Sequence, residues 1–208
     1  PGTWHTQPDA GPQHMDWNPH AVVPRMASSV VAHERGVEAA RWLLKRLEGG
    51  DLDRRLLLLE WVRLLLERPP LIEPLGLKEM LMRRAADPVP EVANRVTLCL
   101  AKAIEADREF GHALALRLHE REETLIRRAM ADVLTRLFRR LTWDALPLLD
   151  DMLASNDEGV LAAASATVGD VRFLDKEQWA DRLRTLADHP LPVVRRNLVP
   201  NLREYIEF

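Results

Sequence analysis

The stretch Glu122-Glu123-Thr124-Leu125-Ile126-Arg127-Arg128-Ala129-Met130-Ala131-Asp132-Val133-Leu134 decides how the chain is read. Ile126, Met130 and Leu134 stand four residues apart, the spacing that stacks side chains on one face of an α-helix. Two acids precede them, where carboxylates complement the free N–H groups and the positive end of a helix dipole. Moving 34 residues in either direction reproduces the pattern. The first column is Leu58, Val92, Ile126, Val160 and Val194, and four residues later it is Val62, Val96, Met130, Ala164 and Leu198. Four further on it is Leu66, Leu100, Leu134, Val168 and Leu202. Eleven residues before the first column lie Leu47, Leu81, Ala115, Leu149 and Leu183, the inner face of a preceding helix. Independent amphipathic helices would also be striped, but they would not keep one gapless register across five units.

Each unit therefore reads as a helix A followed by a helix B. The pattern predicts helices over 37–48 and 52–67, 75–86 and 90–105, 108–119 and 122–139, 143–154 and 158–168, and 176–187 and 191–206. The segments between them carry turn chemistry: Asp87-Pro88-Val89-Pro90-Glu91, His119-Glu120-Arg121-Glu122-Glu123, Ser155-Asn156-Asp157-Glu158-Gly159 and Asp188-His189-Pro190-Leu191-Pro192. Asp, Asn and Ser accept from free helix N–H groups, and Pro pre-sets the first turn. One such hairpin cannot bury its own apolar face, so neighbours must stack in chain order. The expected fold is all-α: a right-handed α-solenoid of about five two-helix repeats (36–69, 70–103, 104–137, 138–171 and 172–206) without an internal domain boundary. Residues 20–35 are expected to form an N-terminal helical cap. Residues 1–19 read as a leader or cloning-derived tail, with His14-Met15 as the junction and Trp4 or Trp17 as its anchor.

Composition narrows the function. No window holds eighteen uncharged apolar residues, and the most apolar run, Leu56 to Leu66, is interrupted by Glu60 and Arg63, so no membrane span is expected. The formal net charge of −3 opposes a generic nucleic-acid binder. A single cysteine, Cys99, excludes internal disulfides and a cysteine-based zinc site, and fits a reducing, cytoplasmic compartment. It stands in the column Leu65, Cys99, Val133, which marks it as core.

The repeat type follows from the motifs. A two-helix unit of 34 residues suggests the tetratricopeptide class first, but Gly111 is isolated and Tyr205 is the only Tyr, so the recurring Gly and Tyr of that class are missing. Trp143-Asp144-Ala145-Leu146-Pro147-Leu148-Leu149-Asp150-Asp151-Met152-Leu153 instead resembles a proline-bearing helix A of HEAT repeats. Asp87-Pro88-Val89-Pro90-Glu91-Val92 resembles the HEAT turn, and Ile126-Arg127-Arg128-Ala129 and Val194-Arg195-Arg196-Asn197 resemble its Val-Arg start of helix B. The resemblance, to bacterial HEAT-like proteins, covers about residues 36–206. The unit at 37–67 departs most, with no Pro and with Leu58-Leu59-Glu60-Trp61 at the start of helix B.

The resemblance implies that the B helices line a concave face. Residues there that lie off the core stripe are then the contact candidates: Ala93, Asn94 and Arg95, Arg127 and Arg128, Leu161 and Ala162, and Arg195 and Arg196. The chain has 25 Arg and 4 Lys, and guanidinium groups grip carboxylate or phosphate in bidentate fashion. The expected function is a non-catalytic scaffold that binds a protein or acidic peptide through Asn94, Arg95, Arg127, Arg128, Arg195 and Arg196. A structural ladder competes with that reading, in which each Arg pairs with a turn acid such as Asp87, Glu123, Asp157 or Asp188 of its own or the next unit.

Catalytic signals are weak. No His-Glu-x-x-His, phosphate-cradling Gly loop or Gly-x-Ser-x-Gly is present, so neither a metal nor a cofactor is expected. His112 and His119 share one helix face without a third ligand and read as solvated surface residues. Asp150-Asp151 and Asp157-Glu158 read as helix-end acids. The alternative function is a nucleic-acid-binding HEAT-like protein similar to alkylpurine-DNA glycosylases. Thr142-Trp143-Asp144-Ala145-Leu146-Pro147 resembles their Trp-Asp-x-x-Asp stretch, but Pro147 stands where the catalytic carboxylate would be. Trp143 and Trp179 both open a helix A and are expected to pack between units.

Overall fold

The computed structural model describes Ser29, Val31 and residues 35–207, and among these every regular element is helical and no strand occurs. The leader, its tryptophan anchors and most of the expected cap lie outside the described residues. Two compact units divide the chain, residues 1–77 and 78–208.

In the first unit, α1 (Gly36–Glu48) and α2 (Leu52–Leu65) form a hairpin. Asp51 accepts from the Arg54 N–H at 3.1 Å and so occupies one of the free donors of the α2 start. Ala40, Leu44 and Leu47 of α1 and Leu58, Trp61, Val62 and Leu65 of α2 are buried. Beyond a 3-10 turn at Pro69–Leu71, Arg41 reaches from α1 to the Pro74 carbonyl at 2.9 Å. The connection then turns at Gly76, whose φ of 62° is a conformation that L side chains rarely adopt.

The second unit holds four hairpins. Their A helices are α3 (Leu77–Ala85), α6 (Arg108–His119), α8 (Leu146–Leu153) and α10 (Lys176–Ala187). Their B helices are α4 (Pro90–Thr97) continued by α5 (Leu100–Ala106), α7 (Thr124–Leu141), α9 (Glu158–Thr167), and α11 (Pro192–Leu198) continued by α12 (Leu202–Glu207). The B helices pack α4 on α7, α7 on α9 and α9 on α11, so order in space follows order in the chain. Val92, Ile126, Val160 and Val194 are all 0% exposed, as the repeat register requires. Asp107, Asp157 and Asp175 cap α6, α9 and α10 through backbone N–H groups, and Pro90, Pro147 and Pro192 sit in first turns.

Helix B of the second repeat is not continuous over 90–105. It breaks at Leu98-Cys99, where the Leu98 and Cys99 N–H groups bond three residues back, to Arg95 and Val96. The cause is local: the Thr97 hydroxyl donates to the Asn94 carbonyl at 2.7 Å and competes with the helical ladder. In the same register Ser165 donates to Ala162 at 2.9 Å, and α9 gives way to a 3-10 segment at Val168–Phe173. Ala131 has no hydroxyl there, and α7 runs unbroken for 18 residues. The α5–α6 crossing is close enough that a Cβ on Gly111 would lie 2.4 Å from Ile104 Cγ1 and 2.6 Å from the Ile104 backbone.

The two tryptophans have opposite fates. Trp179 is fully buried and meets Tyr205 edge-on at 6.2 Å. Trp143 is 49% exposed, against the expectation that it packs between units. Thr142 takes φ 54° at the end of α7 and leads into a 3-10 turn, Thr142–Ala145, which carries Trp143 outward before α8 begins.

Candidate functional site

Hairpins in the second unit are joined by polar bonds between residues about one repeat apart. Lys78 meets the capping Asp107 at 2.9 Å, and Arg182 grips both oxygens of Asp150 at 2.9 and 2.7 Å. Arg140 pairs with Glu105, and Asn197 donates to the Ala162 carbonyl at 2.8 Å and to Ser165 at 2.9 Å. Arg121 was missed in the sequence. It holds Glu123 and also donates to the carbonyls of Ala85 and Asp87, both at 3.0 Å, closing the end of α3 and the turn behind it. Its signal was available: it lies 34 residues after Asp87, a lone cation in an acidic turn.

The candidate residues separate by column. Ala93 and Leu161 are buried at 0% and 5%, so they do not lie on the open face. They share a register with Arg127, whose side chain is 29% exposed and turns to the next repeat, meeting Asp151 at 3.0 Å. The column is thus an inter-repeat contact, filled by small or aliphatic residues where no acid faces it. His119 joins the same carboxylate at 3.2 Å and is half-buried, not solvated as expected. Burial lowers its pKa below the ordinary 6.5, outweighing the opposing pull of Asp151, so the neutral ring is favoured.

Arg128 grips Asp157 in bidentate fashion, Nε to Oδ1 at 3.0 Å and Nη2 to Oδ2 at 2.9 Å. Asp157 in turn accepts from the Val160 N–H. The Arg128 guanidinium, with that backbone bond, holds the Asp157 carboxyl at about 2. Gly159 leaves room for the pair, since a Cβ there would come within 3.1 Å of both Arg128 Nε and Asp157 Oδ1.

Asn94, Arg95 and Arg128 come together on one groove of about 340 Å³ between the α4–α5 junction and α7. Leu98 and Leu125, 49% and 45% exposed, give it apolar walls, and Asp132, whose side chain makes no ionic or hydrogen-bond contact among the described residues, completes the rim. Leu98, Leu125 and Asp132 were not among the predicted contacts. Their signal was an apolar or acidic residue off the core stripe of a B helix. Arg127 does not reach this groove. Arg195 lines a separate pocket of about 270 Å³ with Leu183, Ala187, Leu198, Leu202 and Tyr205. Arg196 is exposed, and its side chain makes no hydrogen bond or ion pair among the described residues. Asp144 accepts from Arg108 at 2.6 Å, and Pro147 lies in the first turn of α8. Among the described residues no group of three or more His, Cys, Asp or Glu is placed to hold a metal ion, and no helix is long and apolar enough to cross a membrane.

No protein-family model matches the chain, and no curated protein is similar to it. Solved structures are. A designed armadillo repeat protein in complex with the peptide (KR)4 superposes with a TM-score of 0.56 at 16% identity, over 88% of this chain and 91% of that one. An engineered protein superposes with a TM-score of 0.55 at 14% identity, over 88% and 89%. A second engineered protein gives 0.54 at 15%, over 89% of this chain and 53% of that one. At such identities the likeness speaks to the fold alone: the chain shares the all-α architecture of helical-repeat solenoids.

Proposed function

We propose that the protein is a non-catalytic interaction scaffold that holds a peptide or protein segment on the B-helix face of its second unit. The observation that carries this reading is the groove between the α4–α5 junction and α7. Its walls expose two leucines to water, and one edge carries an arginine already oriented by Asp157. Aliphatic walls with a few placed polar groups are the usual makeup of a recognition groove. Arg128 spends Nε and Nη2 on Asp157 and keeps its Nη1 donors, so a carboxylate on an acidic segment can be bound without ordering a loose side chain. The designed armadillo protein that shares the fold is itself in complex with a peptide, which supports a peptide as occupant. Within helical-repeat solenoids the HEAT type fits best, on the Asp87-Pro88 turn, the first-turn Pro147 and the Ile126-Arg127 start of α7. The buried Cys99 thiol, outside any disulfide, fits a cytoplasmic location.

Selection of displayed acidic and basic peptides against the whole chain tests this. Peptides combining aliphatic and acidic residues should be enriched, and the double variant Leu98→Glu/Leu125→Glu should weaken them about tenfold or more with an unchanged helical spectrum. Equal binding by that variant, or enrichment of no peptide class, overturns the proposal.

A further inference from the structure

The repeat register allows an inner interface of the second unit to be laid over its last hairpin. Arg127 and Arg128 begin helix B of the third repeat, and Arg195 and Arg196 stand 68 residues later in the same columns. In the inner case the arginines reach forward to the next hairpin: Arg127 to Asp151 at the end of α8, and Arg128 to Asp157 at the start of α9. In the last hairpin neither arginine meets a carboxylate among the described residues. Among the described residues Arg195 donates only to neutral carbonyls of its own turn, at His189 and Pro190, and the Arg196 side chain makes no hydrogen bond or ion pair.

The apolar columns repeat the contrast. Thr97, Ala131 and Ser165 are at most 2% exposed, but Val199 in their register is 57% exposed. Leu100, Leu134 and Val168 are 0% exposed, and Leu202 is 47%. Ile104 and Phe138 are 5% and 2% exposed, and Ile206 is 81%. Beside them lies the apolar pocket of about 270 Å³, with Arg195 and Arg184 at its edge. Arg184 is paired with Asp181 and Tyr205, which leaves Arg195 and Arg196 as the positive charges here without an acidic partner among the described residues. An aliphatic surface flanked by such guanidinium groups is complementary to a helical hairpin with an apolar face and acids at its turn.

We propose that this face of α11 and α12 docks a helical hairpin of a partner protein that bears two carboxylates six residues apart across its turn. The spacing is that of Asp151 and Asp157, the acids that answer the equivalent arginines inside the unit. The site is distinct from the groove between the α4–α5 junction and α7 and does not depend on it.

The chain supplies its own probe. A fluorescently labelled synthetic peptide of residues 142–168, which carries Asp151, Asp157 and the apolar faces of α8 and α9 on either side of their turn, is titrated with the whole protein and followed by anisotropy. Saturable binding is expected. Arg195→Glu/Arg196→Glu, an exposed pair whose reversal gives up only the Arg195 bonds to its own turn and should leave the helical spectrum unchanged, should weaken binding about tenfold or more, and so should Asp151→Lys/Asp157→Lys in the peptide. Combining the two reversals should restore a large part of the affinity, a coupling that general loss of structure does not produce. Val199→Asp/Ile206→Asp should abolish binding, and Leu98→Glu/Leu125→Glu should not change it. Three results overturn the proposal: no binding at up to about 1 mM peptide; binding indifferent to Arg195 and Arg196, as when the peptide displaces its own copy in the chain; or a stable dimer of the protein alone that the arginine reversal dissolves, which would make a second copy the occupant.

Discussion

The third and fifth hairpins start their B helices alike, with Ile126-Arg127-Arg128 and Val194-Arg195-Arg196. In the third, both sides are covered: α7 packs on α4 and on α9, runs unbroken and buries Leu134 and Phe138. In the fifth, α11 packs on α9, stops after seven residues and passes through a 3-10 turn at Val199–Asn201 into α12, with Leu202 and Ile206 exposed. The same motif is thus a clasp in one place and a free surface in the other. A repeat motif specifies what a side chain can do, and the neighbouring hairpin decides what it does.

The largest expected effect comes from cutting the same column in both hairpins. Leu134→Ala should cost about 3 kcal/mol in chemical denaturation, as a large-to-small change in a closed core, and Leu202→Ala under about 1 kcal/mol. Similar losses at the two positions would mean that Leu202 is as enclosed as Leu134 in solution. A smaller effect separates the arginines. Asp157→Asn should lower the melting temperature, since it weakens a cap and leaves Arg128 without its partner, whereas Arg196→Ala should leave it unchanged.

Acid sharpens that second contrast. Arg128 and the Val160 N–H hold Asp157 at about 2, and Arg121 does the same for Glu123, against ordinary values of 3.8 and 4.5. A carboxyl with a depressed folded pKa stabilises above its ordinary value, and that contribution is lost as pH falls. The melting temperature should therefore decline from about pH 4.5 towards pH 2, less steeply in Asp157→Asn and with wild-type slope in Arg196→Ala. The smallest effect concerns the exit from α7. Thr142→Gly should raise stability by up to about 1 kcal/mol, because glycine takes the φ of 54° without strain at some cost in chain entropy.

Much of the fold was legible because it rests on periodicity. The columns through Ile126, Met130 and Leu134 placed α7 and its neighbours, and their order in space followed from the need to cover each apolar face. The break after Thr97 was not legible from that pattern, because one hydroxyl competing for the Asn94 carbonyl leaves the apolar spacing intact. The exposure of Trp143 was hidden for a related reason: it follows from the positive φ of Thr142, a residue type with no preference for it. At the site, the sequence reading put Arg95, Arg127, Arg128, Arg195 and Arg196 on one face, yet whether an arginine faces a partner or the next hairpin depends on acids 24 to 29 residues downstream. Arg121, Leu98 and Leu125 escaped because a turn cation and aliphatic residues off the stripe leave no mark on the charge pattern of the B helices.

The clasp of Arg121 on the Ala85 and Asp87 carbonyls also has a temporal side. A ribosome releases the chain from its N-terminus, so the turn after α3 leaves the exit tunnel 34 residues before the guanidinium that closes it. During synthesis each newly emerged hairpin therefore waits, latched only by its own caps, until its successor arrives to finish it, and maturation runs one step behind translation.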